Sequence, residues 1–259
     1  MSLLVDNPRS WREGIWILTR SESGHQGGFR DRQSWLRELR RMNALDASLV
    51  GPDPAQYDPY WSELEPIHRS FLERFLSGQP VGGRVLDAAC GTGKYLPMVL
   101  SSGRSVAAVD HVEAYLGYIQ ARFPAVTTAN HELQDLPYVD EFDGVMCVDA
   151  MEFIPPEDWP VVVGSFRSAL HSEGRLYLTV ELHHEEDVRA ANEAARSLGF
   201  PVVAGEVYRG DPVPHYHFYP SMEQVYSWVA EVGFVIDEST EGPWHEDSWA
   251  YHHLLATRA

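Results

Sequence analysis

The sequence predicts an α/β fold: a seven-stranded, mostly parallel sheet with helices on both faces, preceded by an N-terminal helical cap. Three observations predict it. From Gly83 onward, short and nearly continuous apolar runs alternate with stretches of helical periodicity, the pattern of strands buried on both faces. Glycines and prolines stand at the junctions, where helices start and stop. The first apolar run, "RVLDAA", passes straight into the glycine-rich turn "CGTG".

In chain order, about residues 1–80 form an N-terminal helical or lid segment carrying Trp11, Trp16, Trp35 and Trp61. The breaks "SESGHQGG" and "GPDPAQYDP" divide it. Between them "RDRQSWLRELRRMN" reads as an amphipathic helix with Trp35, Leu36, Leu39 and Met42 on its apolar face. "YWSELEPIHRSFLERFLSG" reads as a helix stopped at Gly78. Residues 81–259 form the main domain. Its expected elements are the strand "RVLDAA", the helix "GKYLPMVLSSG", the strand "SVAAVD", the helix "HVEAYLGYIQARF", and the strands "AVTTAN" and "FDGVMCVDA". The helix "PPEDWPVVVGSFRSALHSEG" and the fifth strand "RLYLTVEL" follow. Further helices are expected from about Glu185 to Leu198 and from about Ser221 to Val232, then the strands "FVIDES" and "YHHLLATR". An insertion at about 182–220 separates the fifth and sixth strands.

The chain has 259 residues, 44% hydrophobic and 22% charged, enough for a sizeable core. The net charge of -18 repels a phosphate backbone and argues against broad contact with nucleic acid. The basic helix near Arg30–Asn43 reads as a solvated face on a packed helix. No apolar run approaches the roughly 20 residues needed to span a bilayer, and no secretory signal is visible, so no membrane partner is expected. Cys90 and Cys147 are too few for a disulfide framework and fit buried small residues in a reducing cytoplasm.

The glycine turn suggests a nucleotide-like ligand at the carboxyl end of the first strand. A dinucleotide loop wants G-x-G-x-x-G; Gly91 and Gly93 supply the first two glycines, but the third position is Leu96. Asp87 closes the strand just before the turn, where a carboxylate would repel a diphosphate and attract an ammonium or sulfonium. Asp110 ends the second strand, where an acid accepts hydrogen bonds from ribose hydroxyls.

Over about residues 83–180 the chain resembles the class I S-adenosylmethionine-dependent methyltransferases, which have a Rossmann-like sheet. "VLDAACGTG" looks like their first motif, "VAAVD" their second, "LQDLP" and "FDGVMCVDAMEFIP" their third and fourth. The resemblance implies S-adenosylmethionine as cofactor and S-adenosylhomocysteine as product. It implies that Asp87, Ala89, Gly91 and Gly93 surround the methionine moiety and lower ribose, and that Asp110 binds the ribose hydroxyls, with His111 at the adenosine edge. It further implies that Gln134, Asp135 and Leu136 line the adenine, and that Val148 and Asp149 lie near the transferable methyl. Tyr57 and Tyr60, with Trp61, fall in a segment that folds over the cofactor in such enzymes.

The acceptor is expected to be a small molecule, methylated on an oxygen of an aromatic or polyketide-like skeleton. The Asn-Pro-Pro-Tyr of amino-methylating relatives is absent; the chain reads "DAMEF" there. "VELHHEEDVRA" places His183 and His184 just past the fifth strand; its acids suit the first turn of a helix better than a metal, and no metal is expected. In "DPVPHYHFYPS" strand alternation puts His215, His217 and Tyr219 on one side and Tyr216 and Phe218 on the other. His217, His183 and His215 are the candidate bases. Alternatives are a cofactor-binding enzyme of other chemistry, a noncatalytic binding protein, or a protein methyltransferase. The N-terminal segment leaves a lid, a cap or a homodimer arm open.

Overall fold

Alternating apolar residues along each strand are drawn to opposite faces of one central sheet. In the computed structural model, which describes residues 31–50, 54, 64–209, 215–245 and 249–259, seven strands pair in the order β3-β2-β1-β4-β5-β9-β8. They are β1 (Arg84–Ala88), β2 (Ser105–Asp110), β3 (Thr127–Asn130), β4 (Phe142–Cys147), β5 (Leu170–His183), β8 (Phe234–Glu241) and β9 (Trp249–Arg258). The first five run parallel; β9 pairs antiparallel with both β5 and β8.

Leu86, Val145, Leu176 and Leu178 pack on one face, with α1 (Arg32–Val50), α5 (Trp159–Ala169), α6 (Glu185–Ser197) and α7 (Met222–Glu231). Val85, Met146, Tyr177 and Leu255 pack on the other, with α2 (Pro66–Ser77), α3 (Leu96–Ser101) and α4 (Glu113–Arg122). Adjacent strand residues serve different cores, which is why these strands read as unbroken apolar runs. α2 starts with Pro66 in its first turn and ends at Gly78, as the sequence indicates. Ser221 and Gln224 form a capping box at the start of α7.

Three boundaries differ from expectation. The helix after the glycine turn begins only at Leu96, because residues 91–95 are held in the turn itself. α5 ends at Ala169 rather than at the glycine stop. β5 begins at once, pairing Leu170 with Phe142, and carries an irregularity in which Glu173 adopts φ 62° before regular pairing resumes at Arg175. The extended stretch before Pro220 is one arm of a hairpin: β6 (Glu206–Arg209) pairs antiparallel with β7 (His215–Phe218), outside the main sheet.

The hairpin is tied to α1. Arg32 reaches both oxygens of the fully buried Glu206, at 2.6 and 2.8 Å, and grips Glu157 as well. Trp35, completely buried, packs on Phe200 and Tyr208. α1 is thus a packed helix, as its amphipathic pattern implied, but Arg32, Arg40 and Arg41 pair with carboxylates of the chain itself instead of forming a purely solvated face.

Candidate cofactor and acceptor site

β1 bonds to β2 on one side and to β4 on the other, and the chain departs in opposite directions from these two strands. Such a switch point opens a crevice at the strands' carboxyl ends. The residues there are held in unusual conformations: Ala89 and Asp149 adopt φ 65° and 57°, a left-handed backbone that non-glycine residues rarely take. Gly93, at φ 85°, lies so close to Leu96 that a Cβ would sit 2.7 Å from its side chain. A Cβ on Gly91 would meet nothing within 4 Å, so the loop backbone there faces open space.

Asp87 is 1% exposed, and its Oδ2 has no hydrogen-bond partner. Burial, helped by the nearby Asp110 charge, pushes its carboxyl up to about 8. An orphaned buried carboxyl of this kind is suited to a positively charged ligand. Asp110 is also buried; its two oxygens accept the N–H groups of Gly91 and Val112, each at 2.8 Å. Burial raises its pKa while these backbone bonds oppose the rise. Each oxygen keeps a second lone pair, so Asp110 braces the glycine loop and can still accept ribose hydroxyls.

Asp149, just past β4, is the hub of a network that sequence reasoning missed. Its carboxylate accepts from His68 Nε2 at 3.3 Å and from the Tyr95 hydroxyl at 3.1 Å, with Lys94 Nζ at 3.9 Å. Its backbone N–H donates to Thr179 Oγ1 at 2.9 Å. Burial works to raise the Asp149 pKa, but His68, Lys94 and Tyr95 hold it below the ordinary value. Burial likewise works against charge on His68, yet Asp149 and Glu65 raise its pKa. The neighbouring His253, its ring 4.6 Å from that of His68, is pushed down to about 3 by burial and by the His68 charge. Its Nδ1 meets the Tyr177 hydroxyl at 3.0 Å. Lys94 and Tyr95 were in view beside the glycine turn; His68 and His253 lie far away in sequence, with no local signal.

A second cluster adjoins the first. His217 Nδ1 lies 2.7 Å from the Tyr219 hydroxyl, and Tyr219 in turn reaches Glu181 Oε1 at 3.5 Å. His183 Nε2 meets the same Glu181 oxygen at 2.8 Å. His183 and His217, distant in sequence, are therefore joined through Tyr219 and Glu181. The expected alternation also appears: Tyr216 and Phe218 turn into the core, Tyr216 bonding to Glu206. His215 starts β7, and its backbone alone is described.

The remaining expected residues are scattered more widely. Val148 is buried at the end of β4. Gln134 and Asp135 lie on the 3-10 turn Leu133–Asp135, and Leu136 follows. Gln134 donates to Asp158 at 3.2 Å, while Asp135 is exposed. His111 is exposed beside Asp110. Tyr57, Tyr60 and Trp61 lie outside the described residues. Cys90 and Cys147 are free and buried, and burial pushes both thiols well up.

The profile of a family described as "Methyltransferase domain" matches residues 85–174, from the glycine loop's strand into β5. These residues are similar to a methyltransferase domain. A Bacillus subtilis protein named as a methyltransferase, YqeM, is 29% identical over 109 residues, 39% of this chain and 43% of its own. The chain thus spans less than half of that relative's length. A solved S-adenosylmethionine-dependent methyltransferase from Methanosarcina mazei shares the fold with a TM-score of 0.61 and 16% identity, over 76% of this chain and 98% of that one. The magnesium protoporphyrin IX methyltransferase of Synechocystis, solved with bound S-adenosylhomocysteine, shares it with a TM-score of 0.56 and 16% identity, over 88% and 100%. The match ends at Gly174, so His183, His217 and Tyr219 lie outside the matched residues.

Proposed function

We propose that this chain binds S-adenosylmethionine at the β1–β4 switch point and transfers its methyl group to a small-molecule acceptor. The observation that carries the reading is the buried, unpartnered Asp87 beside the open backbone of Gly91. A carboxylate there suits a cation and disfavours the diphosphate of a dinucleotide. S-adenosylmethionine supplies an already activated methyl on a sulfonium, so the chain's own task is alignment, exclusion of water and proton handling. Asp87 and the loop residues Ala89, Gly91 and Gly93 hold the methionine end and lower ribose. Asp110 holds the ribose hydroxyls beside His111, and Gln134, Asp135 and Leu136 line the adenine. Val148 and Asp149 form the floor near the methyl.

On the acceptor side, the insertion at about 182–220 forms the wall, and the accepting atom is an oxygen. Tyr219 donates to Glu181 and accepts from His217 Nδ1, which sets Nε2 as the basic nitrogen of neutral His217. That atom takes the acceptor's hydroxyl proton; His183, on the same glutamate, is the alternative base.

Isothermal titration with S-adenosylmethionine, S-adenosylhomocysteine and NAD tests the reading. Micromolar binding of the first two without NAD is expected; binding of NAD alone, or of none, sinks it.

A further inference from the structure

Five carboxylates gather at the carboxyl ends of the central strands, and the cofactor accounts for only some of them. Asp87 and Asp110 belong to the cofactor side, and Asp149 is matched by His68 and Lys94. That leaves Glu152 and Glu181. Glu152 lies on the 3-10 turn Met151–Phe153, directly after Asp149 and Ala150. It is 5% exposed, and its Oε2 is buried without a hydrogen-bond partner. Its turn packs against β5, which carries Glu181, and against β7, which carries His217, and the charges of Glu181 and Asp149 both bear on it. No Arg or Lys contacts Glu152 among the described residues, and His183 is on Glu181.

A buried carboxylate under the charge of two others is costly unless a cation or a proton joins it. The rings around the cluster suit a cation as well. Phe153, beside Glu152 in the chain and partly exposed, meets His217 edge-on at 4.9 Å. Tyr219 lies over His183 at 4.6 Å. Tyr251, buried, stands opposite Glu181 across the β5–β9 pairing and meets the ring of His68, the partner of Asp149, edge-on at 5.3 Å. Aromatic faces with convergent carboxylates are the surroundings that hold an organic ammonium.

We infer that the acceptor carries a positively charged nitrogen, held by Glu152 and Glu181 between the rings of Phe153, Tyr219 and Tyr251. The inference rests on the methyltransferase reading and narrows it: the acceptor is a small organic cation, such as an amine borne on the same molecule as the methylated oxygen. Glu152 acts by binding that charge, while proton removal stays with the His217 side of the cluster. A neutral or anionic acceptor leaves Glu152 without a counterpart.

The test compares benzylamine with its neutral isostere benzyl alcohol, each titrated into protein saturated with S-adenosylhomocysteine. Benzylamine is expected to bind at least tenfold tighter. Glu152→Gln, which keeps the shape and removes the charge, is expected to erase that preference while S-adenosylhomocysteine affinity stays the same. Glu181→Gln is measured beside it and is expected to weaken the preference, so that the conclusion survives poor folding of either variant. Equal binding of the two probes, or an undiminished preference in both variants, overturns the inference with the cofactor reading intact. Failure of S-adenosylhomocysteine to bind the unaltered protein overturns the cofactor reading and this inference with it.

Discussion

Asp87 illustrates how one side chain carries the chemical sense of the site. Its carboxyl stands at about 8 because burial and Asp110 both disfavour charge. A group whose folded pKa lies above its unfolded value of about 3.9 binds more protons in the folded state. Without ligand, its contribution to stability therefore falls as pH rises from near 4 through about 8. A cationic ligand favours the ionised form, so cofactor binding near pH 7 drives a proton off Asp87. Titration calorimetry in two buffers of different ionisation enthalpy is expected to show about one proton released per cofactor bound. Asp87→Asn is expected to bind at least tenfold more weakly and to lose that buffer dependence. A buffer dependence that persists in Asp87→Asn assigns the proton to another group.

At the scale of elements, α2 is the piece whose role only contacts reveal. Its apolar residues Phe71, Leu72 and Phe75 seat it on the sheet, and that seat delivers His68 to Asp149 beneath the glycine loop. Replacing His68 with Gln leaves Asp149 without its main counter-charge. We expect a cost of about 2 kcal/mol, below the usual figure for a buried pair because Asp149 is 26% exposed. The pH dependence has a definite sign. The raised His68 pKa means that its contribution is complete below about 6.5, the unfolded value, and is lost as pH rises through the higher folded value. Chemical denaturation of both proteins is expected to show a gap that is wide in mild acid and narrow in alkaline buffer. A gap that widens with pH contradicts the charge assignment.

For the whole molecule, the site is a junction of pieces brought from most of the sheet: β1, β2, β5 and the turn after β4 supply carboxylates, and α2 and the hairpin each a histidine. Ligand that binds only this assembled arrangement stabilises the fold by mass action. At about a hundredfold excess over its dissociation constant, S-adenosylhomocysteine contributes about 2.7 kcal/mol. For a chain of this size that raises Tm by about 5–10 °C. Differential scanning fluorimetry is expected to show the rise with S-adenosylhomocysteine and none with NAD; equal shifts would contradict the cofactor reading. No helix among the described residues is long and apolar enough to cross a membrane.

The parts legible in the sequence were those fixed by local patterns. Strand runs, the stop at Gly78, the glycine turn, and the acids closing β1 and β2 follow from alternation, backbone freedom and position along one stretch of chain. From these the parallel sheet and the glycine loop at its switch point could be read directly. Boundaries slipped where tertiary pairing overrode local preference: Leu170 pairs with Phe142 instead of extending α5, and residues 91–95 stay in the turn. The distant partners of Asp149 were not legible, because His68 and Thr179 approach it only once α2 and β5 are packed. The same is true of Glu152: its sequence neighbours look like an ordinary turn. Only folding shows that its carboxyl is shut away from water beside Glu181 and Asp149. Sequence alone determined the sheet, its glycine loop and the acids that close β1 and β2 beside it, since those are properties of contiguous residues. Tertiary structure decided which distant side chains share a low-dielectric space, and so which carboxylates are matched and which still want a cation.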